Sequence, residues 1–377
     1  MYSLTTASRV FGKTTCAALA AATLLFGAPS QVFAQDDPAK EPAAFLKDVE
    51  LFGYADFYYN YFSNKPVDDA QIRVFDQKHN QFQVPLVMFG MAKVPTAESR
   101  VGFRLDMGFG KGMRVFHATE PGGVDVIENI QEGFVSYLAP VGNGLQIDAG
   151  KFVTPFGAEP TETNLNWNYS RAFMFFAGPY YHSGVKFTYP VNDKFTVAGM
   201  VVNGWNNVTE NNSGKTVAAM LTFKPTAKLT IYENIIFGPE IAGNNDGKRL
   251  FNDIIVAYTA SDKVALMLNY DAGKDDAIDA QWNTFALYAK LQAAPKFYIA
   301  PRFEWFDDTD TYATGVSQKI KEFTLTGNVD IAPQLQWKIE YRGDFSDVDY
   351  FAKDDGTFTS SQQSVGFGFT YFFSSKQ

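Results

Sequence analysis

The sequence predicts an all-β fold, a transmembrane antiparallel up-and-down β-barrel of about sixteen strands, and three observations carry that expectation. Strand-like runs of about ten residues alternate apolar and polar side chains with a period of two. The connections between these runs alternate strictly between long and very short. Aromatic residues make up 16% of the chain and charged residues only 19%, below the roughly 25% of a soluble globular protein. After the N-terminal segment no apolar run reaches the roughly 18 to 20 residues of a membrane-spanning helix. High aromatic content, abundant glycine and no hydrophobic helix together point to strands that face lipid.

The chain opens with a segment that reads as a secretory signal, residues 1–34. Arg9 and Lys13 give a positive start, residues 16–28 are small and apolar, and Val32-Phe33-Ala34 sets small residues at the −3 and −1 sites, so cleavage is expected after Ala34. A lipoprotein signal fits less well, because Gly12-Lys13-Thr14-Thr15 lacks the Leu-small-small pattern and Cys16 precedes the apolar run. Removing the signal removes the one cysteine, which excludes a disulfide framework. It leaves 30 basic against 41 acidic residues, a net charge of −11, a balance that argues against nucleic acid as a partner. Residues 35–47, polar with two prolines, form a short lead-in; the barrel is expected over 48–373 and a tail over 374–377.

From Val49 onward the rhythm is constant. Short turns are expected at 95–97, 140–144, 191–194, 225–228, 261–263, 294–296 and 333–334, each built from turn-forming residues. Long connections are expected at 63–79, 111–126, 153–179, 206–214, 239–248, 272–280, 307–317 and 346–361. Seven short and eight long connections separate sixteen strands, with both termini at the short-turn end, which is the pattern of an outer-membrane barrel.

Parity fixes the faces. Residues 364–373 place Val365, Phe367, Phe369, Tyr371 and Phe373 on one side against Ser364, Gly366, Gly368 and Thr370. Leu335, Trp337, Ile339 and Tyr341 alternate with Gln336, Lys338, Glu340, Arg342 and Asp344, and Val101, Phe103, Leu105, Met107 and Phe109 with Arg100, Gly102, Arg104 and Asp106. A soluble β-protein would turn the apolar face inward, but about sixteen strands make a barrel too wide for side chains to fill. Aromatics at strand ends, in residues 58–62, 180–181 and 371–373, suit an interfacial girdle. The apolar faces are therefore expected to look outward to lipid and to leave a polar lumen.

Glu132-Gly133-Phe134-Val135-Ser136-Tyr137, Gly150-Lys151-Phe152 with Thr154-Pro155-Phe156-Gly157, Ser170-Arg171, Gly184 and Asn203-Gly204-Trp205 resemble the pattern of the OmpL-like β-barrel outer-membrane porins. The likeness covers essentially the whole chain after the signal. It implies an outer-membrane channel of a diderm bacterium, general or solute-selective, with no enzymatic activity and no cofactor. One departure is the C-terminus, where Phe373 is followed by four further residues instead of ending the chain.

If the apolar faces look outward, the pore lining follows by parity: Asp56, Tyr58, Asn60, Arg100, Arg104, Asp106, Lys186, Asp271, Arg302, Glu304, Glu322, Lys338, Glu340, Arg342 and Asp344. Opposed charges on a pore wall orient permeating solutes; the plainer reading is that they are ion pairs holding the wall. The stretch 150–189 contains the third long connection, aromatic-rich and far longer than a hairpin needs. In sixteen-stranded porins the third external loop folds inward and narrows the channel. Glu159, Glu162 and Arg171 are then candidate constriction charges, with Asn164 and Asn166 as polar contacts together with Asn168, unless the loop merely packs through Trp167, Phe173, Phe175 and Phe176.

Enzyme readings find little support. His79, His117 and His182 have no metal-pair spacing, and the adjacent His182 and Ser183 would point to opposite faces of a strand. Gly108-Phe109-Gly110-Lys111-Gly112 looks like a phosphate loop only superficially, since no helix pattern is expected after it. Acidic clusters at Asp275-Asp276, Asp307-Asp308-Thr309-Asp310 and Asp354-Asp355 read as solvated loop charge rather than as cation bridges to lipopolysaccharide. The expected partners are outer-membrane lipid, lipopolysaccharide and small hydrophilic solutes, with trimers usual for such barrels. A non-conducting barrel serving as an adhesin or envelope anchor is the alternative.

Overall fold

The computed structural model describes residues 48–376; the signal, its cleavage point, Cys16, the lead-in over 35–47 and Gln377 lie outside the described residues. In chain order the strands are β1 (Glu50–Phe62), β2 (Gln81–Gln83), β3 (Val87–Lys93), β4 (Val101–Phe109), β5 (Ile130–Ala139), β6 (Leu145–Val153), β7 (Tyr181–Pro190), β8 (Phe195–Val202), β9 (Thr216–Thr226) and β10 (Leu229–Gly238). They continue with β11 (Arg249–Ser261), β12 (Val264–Asp275), β13 (Ala280–Ala294), β14 (Phe297–Asp308), β15 (Gln318–Ala332), β16 (Leu335–Ser346), a small hairpin of β17 (Phe351–Ala352) and β18 (Phe358–Thr359), and β19 (Ser361–Ser374).

Each wall strand pairs antiparallel with its sequence neighbour, and β1 pairs with β19 from Phe52↔Ser374 to Phe62↔Ser364, which closes the barrel. Closure removes the unpaired edges that an open sheet would expose to lipid. β2 and β3 are two pieces of one stave, so the closed wall has sixteen staves, the number read from the sequence. The stave is interrupted at Val84-Pro85-Leu86 because Pro85 has no N–H to give the ladder. Tyr58 pairs with Gln83 and Ala55 with Val87, so one extra residue bulges there.

Tight turns and longer loops alternate as expected, with two differences of length. The first turn spans 94–100, and the sixth loop shrinks to 276–279 because β12 and β13 stay paired as far as Asp275↔Ala280. The glycine-rich run at 108–112 also departs from expectation. A six-residue helix, α1 (Lys111–Phe116), follows it, because Gly110 adopts φ 113° and swings the chain so that Met113 and Phe116 are buried. Such a helix is too short to leave a periodic signature in sequence.

Parity holds along most of the strands. Val101, Val135, Ile339, Tyr341, Val365 and Tyr371 are exposed on the outer face, while Asp56, Asp106, Arg302, Glu322 and Lys338 are buried on the inner one. The inner face carries one feature the alternation did not suggest. Towards the loop end Phe152, Trp205, Phe251, Trp282 and Phe306 form a buried aromatic cluster, with Trp205 and Phe251 ring centroids 5.1 Å apart and Phe251 and Trp282 6.1 Å apart. The wall is uneven in height: β3 to β8 have 7 to 10 residues, β11 to β16 and β19 have 12 to 15.

Candidate functional site

The third long connection, residues 154–180, leaves the wall between β6 and β7 and makes most of its hydrogen bonds to the wall with strands on the other side of the barrel. It therefore lies inside the barrel. It contains a 3-10 turn, Thr163–Leu165, and a helix α2 (Phe173–Ala177).

Carboxylates of the far wall receive its backbone N–H groups. The N–H groups of Tyr169 and Ser170 donate to Glu340 at 2.6 and 3.0 Å. Those of Phe173 and Met174, the free amides at the start of α2, donate to Glu304 at 2.5 and 2.8 Å. Gly157 N–H donates to Asp253 Oδ2 at 3.1 Å and Ala158 N–H to Asn269 Oδ1 at 2.8 Å. Cations of the same wall bind its carbonyls. Lys338 Nζ donates to the carbonyls of Thr163 (2.8 Å), Asn166 and Asn168. Arg302 Nη1 donates to Ser170 O at 2.6 Å and Glu159 Oε1 at 2.7 Å, and its Nε to Glu322 at 2.8 Å. Arg342 Nη1 donates to Arg171 O at 2.5 Å, while its Nε holds Asp344 at 2.7 Å. Asp56 accepts from Thr163 Oγ1 and Tyr169 OH, both at 2.9 Å.

Hydrogen bonds to charged groups contribute about 1.5–3 kcal/mol each. Buried charges need such partners, because an isolated buried ion is costly. The loop and the wall thus satisfy each other. Seven of the residues that parity assigns to the inner face, Asp56, Arg302, Glu304, Glu322, Lys338, Glu340 and Arg342, are buried in or beneath this contact. Asp344 joins Arg342 and, at 3.8 Å, Arg73 of the first loop.

The remaining inner-face residues stand elsewhere. Arg104 bridges Asp106 at 2.7 Å and Glu132 at 2.6 Å, and Lys186 pairs with Asp148 at 3.5 Å. Arg100 Nη1 donates to Leu138 O at 3.0 Å near the turn end. Within the loop, the Arg171 guanidinium donates to Pro160 O (3.0 Å), Tyr169 O (2.6 Å) and Thr161 O (2.5 Å) and so braces its own segment. Asn166 Nδ2 closes a turn on Pro160 O and Glu162 O. Asn164 is half-buried. Glu159 is committed to Arg302 and to Ala172 N–H at 2.7 Å. Glu162 is different: its carboxylate accepts one long bond, 3.3 Å, from Gln131 Nε2 and borders open space.

That space is a cavity of about 460 Å³ between the loop and the walls of β4–β6 and β11–β13. Arg104, Glu132, Glu162 and Asp271 supply its charge, and Phe116, Phe134, Phe156, Tyr180, Leu165 and Tyr288 much of its apolar surface. Glu132 had no place in the parity assignment. A register shift between Asp106 and Met107 leaves the consecutive Gln131 and Glu132 both buried on β5, so alternation fails there. Lys151, also unassigned, donates to Ile130 O at 2.9 Å and Gln131 O at 2.6 Å and lies 4.0 Å from the Tyr181 ring centroid. Among the described residues no group of three or more His, Cys, Asp or Glu side chains is arranged to hold a metal ion.

A closed sixteen-stave barrel with charges turned inward and a long loop folded within it has the architecture of porins. The chain belongs to the family described as "Putative beta-barrel porin-2, OmpL-like", whose model matches residues 48–373. Its fold is similar to that of the outer-membrane channel DcaP of Acinetobacter baumannii (TM-score 0.60, 11% identity, 86% of this chain and 97% of that one). It is also similar to an anion-selective porin from Comamonas acidovorans (TM-score 0.58, 12% identity, 86% and 99%) and to the trimer form of OmpT of Vibrio cholerae (TM-score 0.57, 12% identity, 86% and 99%). Comparison with curated proteins found no match.

Proposed function

We propose that this protein is a non-enzymatic outer-membrane porin, exported through a cleavable signal over residues 1–34, whose barrel lets small hydrophilic solutes or ions diffuse passively past the third loop. The observation that carries this reading is that the loop, docked inside the barrel, leaves open space beside it. Most of its hydrogen bonds to the wall run to β1, β11, β12 and β14–β16, and a cavity of about 460 Å³ stays open between the loop, β4–β6 and β11–β13. The loop narrows the lumen without sealing it. The charges that matter for passage are then Glu162 and Arg104, which border that space, while Lys338, Glu340, Arg302, Glu304 and Arg342 position the loop.

The uneven wall supports a homotrimer. A lipid-facing strand needs about 9–11 residues to cross a bilayer; β4 to β7, with nine or ten, only just reach it, and β8, with eight, falls short. Packing the low side of the wall against other copies would shield it, and the outer face there carries Phe89, Val101 and Val135. The taller strands would face lipid and lipopolysaccharide.

Reconstitution of the purified protein in a planar bilayer tests the reading. Discrete, reproducible conductance steps are expected. Their absence would overturn the channel reading and leave a non-conducting adhesin or envelope anchor as the alternative. Substituting Glu162 is expected to change selectivity, whereas in 1 M KCl, where exposed loop charges are screened, neutralising Asp354 and Asp355 in the last loop leaves the step size as it was; equal effects from both would count against an inward loop as the gate.

A further inference from the structure

We infer that the cavity beside the third loop is a subsite for compact organic cations carrying an apolar body, an inference that rests on the channel reading above and names its preferred solute. Charge balance is the first ground. Arg104 is the basic side chain that lines the cavity, and it is already neutralised by Asp106 and Glu132 at 2.7 and 2.6 Å. Glu162 adds a carboxylate that has no cationic partner in contact, and at the other end Asp271 stands against Asp253, both bonded to Asn269 Nδ2, at 2.9 and 2.6 Å, so that this pair of carboxyls counts as one further negative charge. Glu159 does not contribute, because Arg302 holds it. An entering cation finds unmatched negative charge, while an anion would be desolvated against carboxylates of its own sign.

The second ground is the wall between these charges. Phe134, Tyr180 and Tyr288 give aromatic surface to the cavity, and Leu165, on the 3-10 turn, is 63% exposed there. An apolar side chain offered to a passage suits a solute with apolar area to bury, and aromatic faces attract a cationic head. A volume of about 460 Å³ is in the range that holds a small organic molecule.

A third ground is independent of the cavity. The eight long connections together carry nine more acidic than basic side chains, whereas the seven tight turns carry two more basic than acidic ones. The loop mouth is thus negative and the opposite rim slightly positive. Such a field concentrates cations at the loop mouth and raises their entry rate.

The test uses the full-length protein in planar bilayers under a KCl gradient, with benzyltrimethylammonium and benzoate as probes of equal ring size and opposite charge. The open channel is expected to prefer potassium over chloride. Benzyltrimethylammonium should reduce the current at a concentration about tenfold or more below that needed by benzoate, and below that of the ring-less tetramethylammonium. Glu162→Gln should raise the blocking concentration several-fold, while Asp262→Asn in a tight turn leaves it unchanged. Equal block by benzoate, or block insensitive to Glu162→Gln, overturns the inference while the diffusion reading stands. A protein without conductance steps overturns the diffusion reading, and this inference with it. The comparison of the two probes on the unaltered protein needs no variant to fold.

Discussion

Lys338 illustrates how far a single side chain can be read from sequence. Parity on β16 sets it inward, and it is fully buried there. Parity is blind to what it meets, because its three carbonyl partners lie 170 to 175 positions earlier in the chain. The same holds for Glu304 and Phe173, 131 positions apart. Inward charge was legible; whether water or a loop covers it depends on contacts that no local pattern encodes. Lys338→Met is expected to leave buried carbonyls of Thr163, Asn166 and Asn168 without their donor, at about 1–3 kcal/mol for each group left unsatisfied. Limited proteolysis should then cut within 154–180 in a barrel that still migrates as folded, and single-channel records should become noisier. Glu162 carries a prediction of pH dependence. Burial raises its carboxyl above the ordinary range, and Glu132 on β5 adds to the rise, against Gln131's hydrogen bond and Arg104 on β4. A raised carboxyl loses its charge earlier as pH falls. Cation preference, measured as reversal potential, should therefore begin to decline at a pH above the usual glutamate value of about 4.3, and Glu162→Gln should remove that part of the profile.

At the scale of elements, strands and turns were legible because period-two alternation and turn residues are local. The short helices α1 and α2, of six and five residues, were not, since neither completes two turns. The broken stave at Pro85 is visible only once β1 supplies the register. The base of the inward loop shows a similar dependence. Gly150 of β6 and Gly184 of β7 stand opposite each other. Gly150 adopts φ 141°, and a Cβ on it would come within 2.3 Å of Gly133 O; one on Gly184 would come within 2.2 Å of Val201 O. Backbone atoms cannot swing aside as a side-chain tip can. Gly184→Ala is expected to destabilise the barrel by about 1–3 kcal/mol, as overpacking does, read as a lower guanidinium midpoint in detergent, with a larger loss for Gly150→Ala, where φ is strained as well.

For the whole molecule, the acidic loop end and the slightly basic turn end make an axial charge gradient that no single segment displays. Its reach is set by the Debye length, about 10 Å at 0.1 M and 3 Å at 1 M. Conductance should therefore fall less than proportionally as KCl is diluted from 1 M to 0.01 M, and potassium preference should rise over the same range. A strictly proportional conductance would mean that the loop charges do not act on the permeating ion.

The closed register between β1 and β19 also orders events in time. The first stave finds its second neighbour only when the last one exists, more than 300 positions later. The wall groups that grip the third loop, on β14 and β16, likewise emerge 130 to 175 positions after it. Distant partners are slow to meet. A nascent chain thus carries its loop amides and its Glu304, Glu340 and Lys338 unmatched until the end, and the step that seals the cylinder is also the one that seats the loop. Assembly is in this sense a single late event, and a chain released before its last stave would hold neither a wall nor a passage.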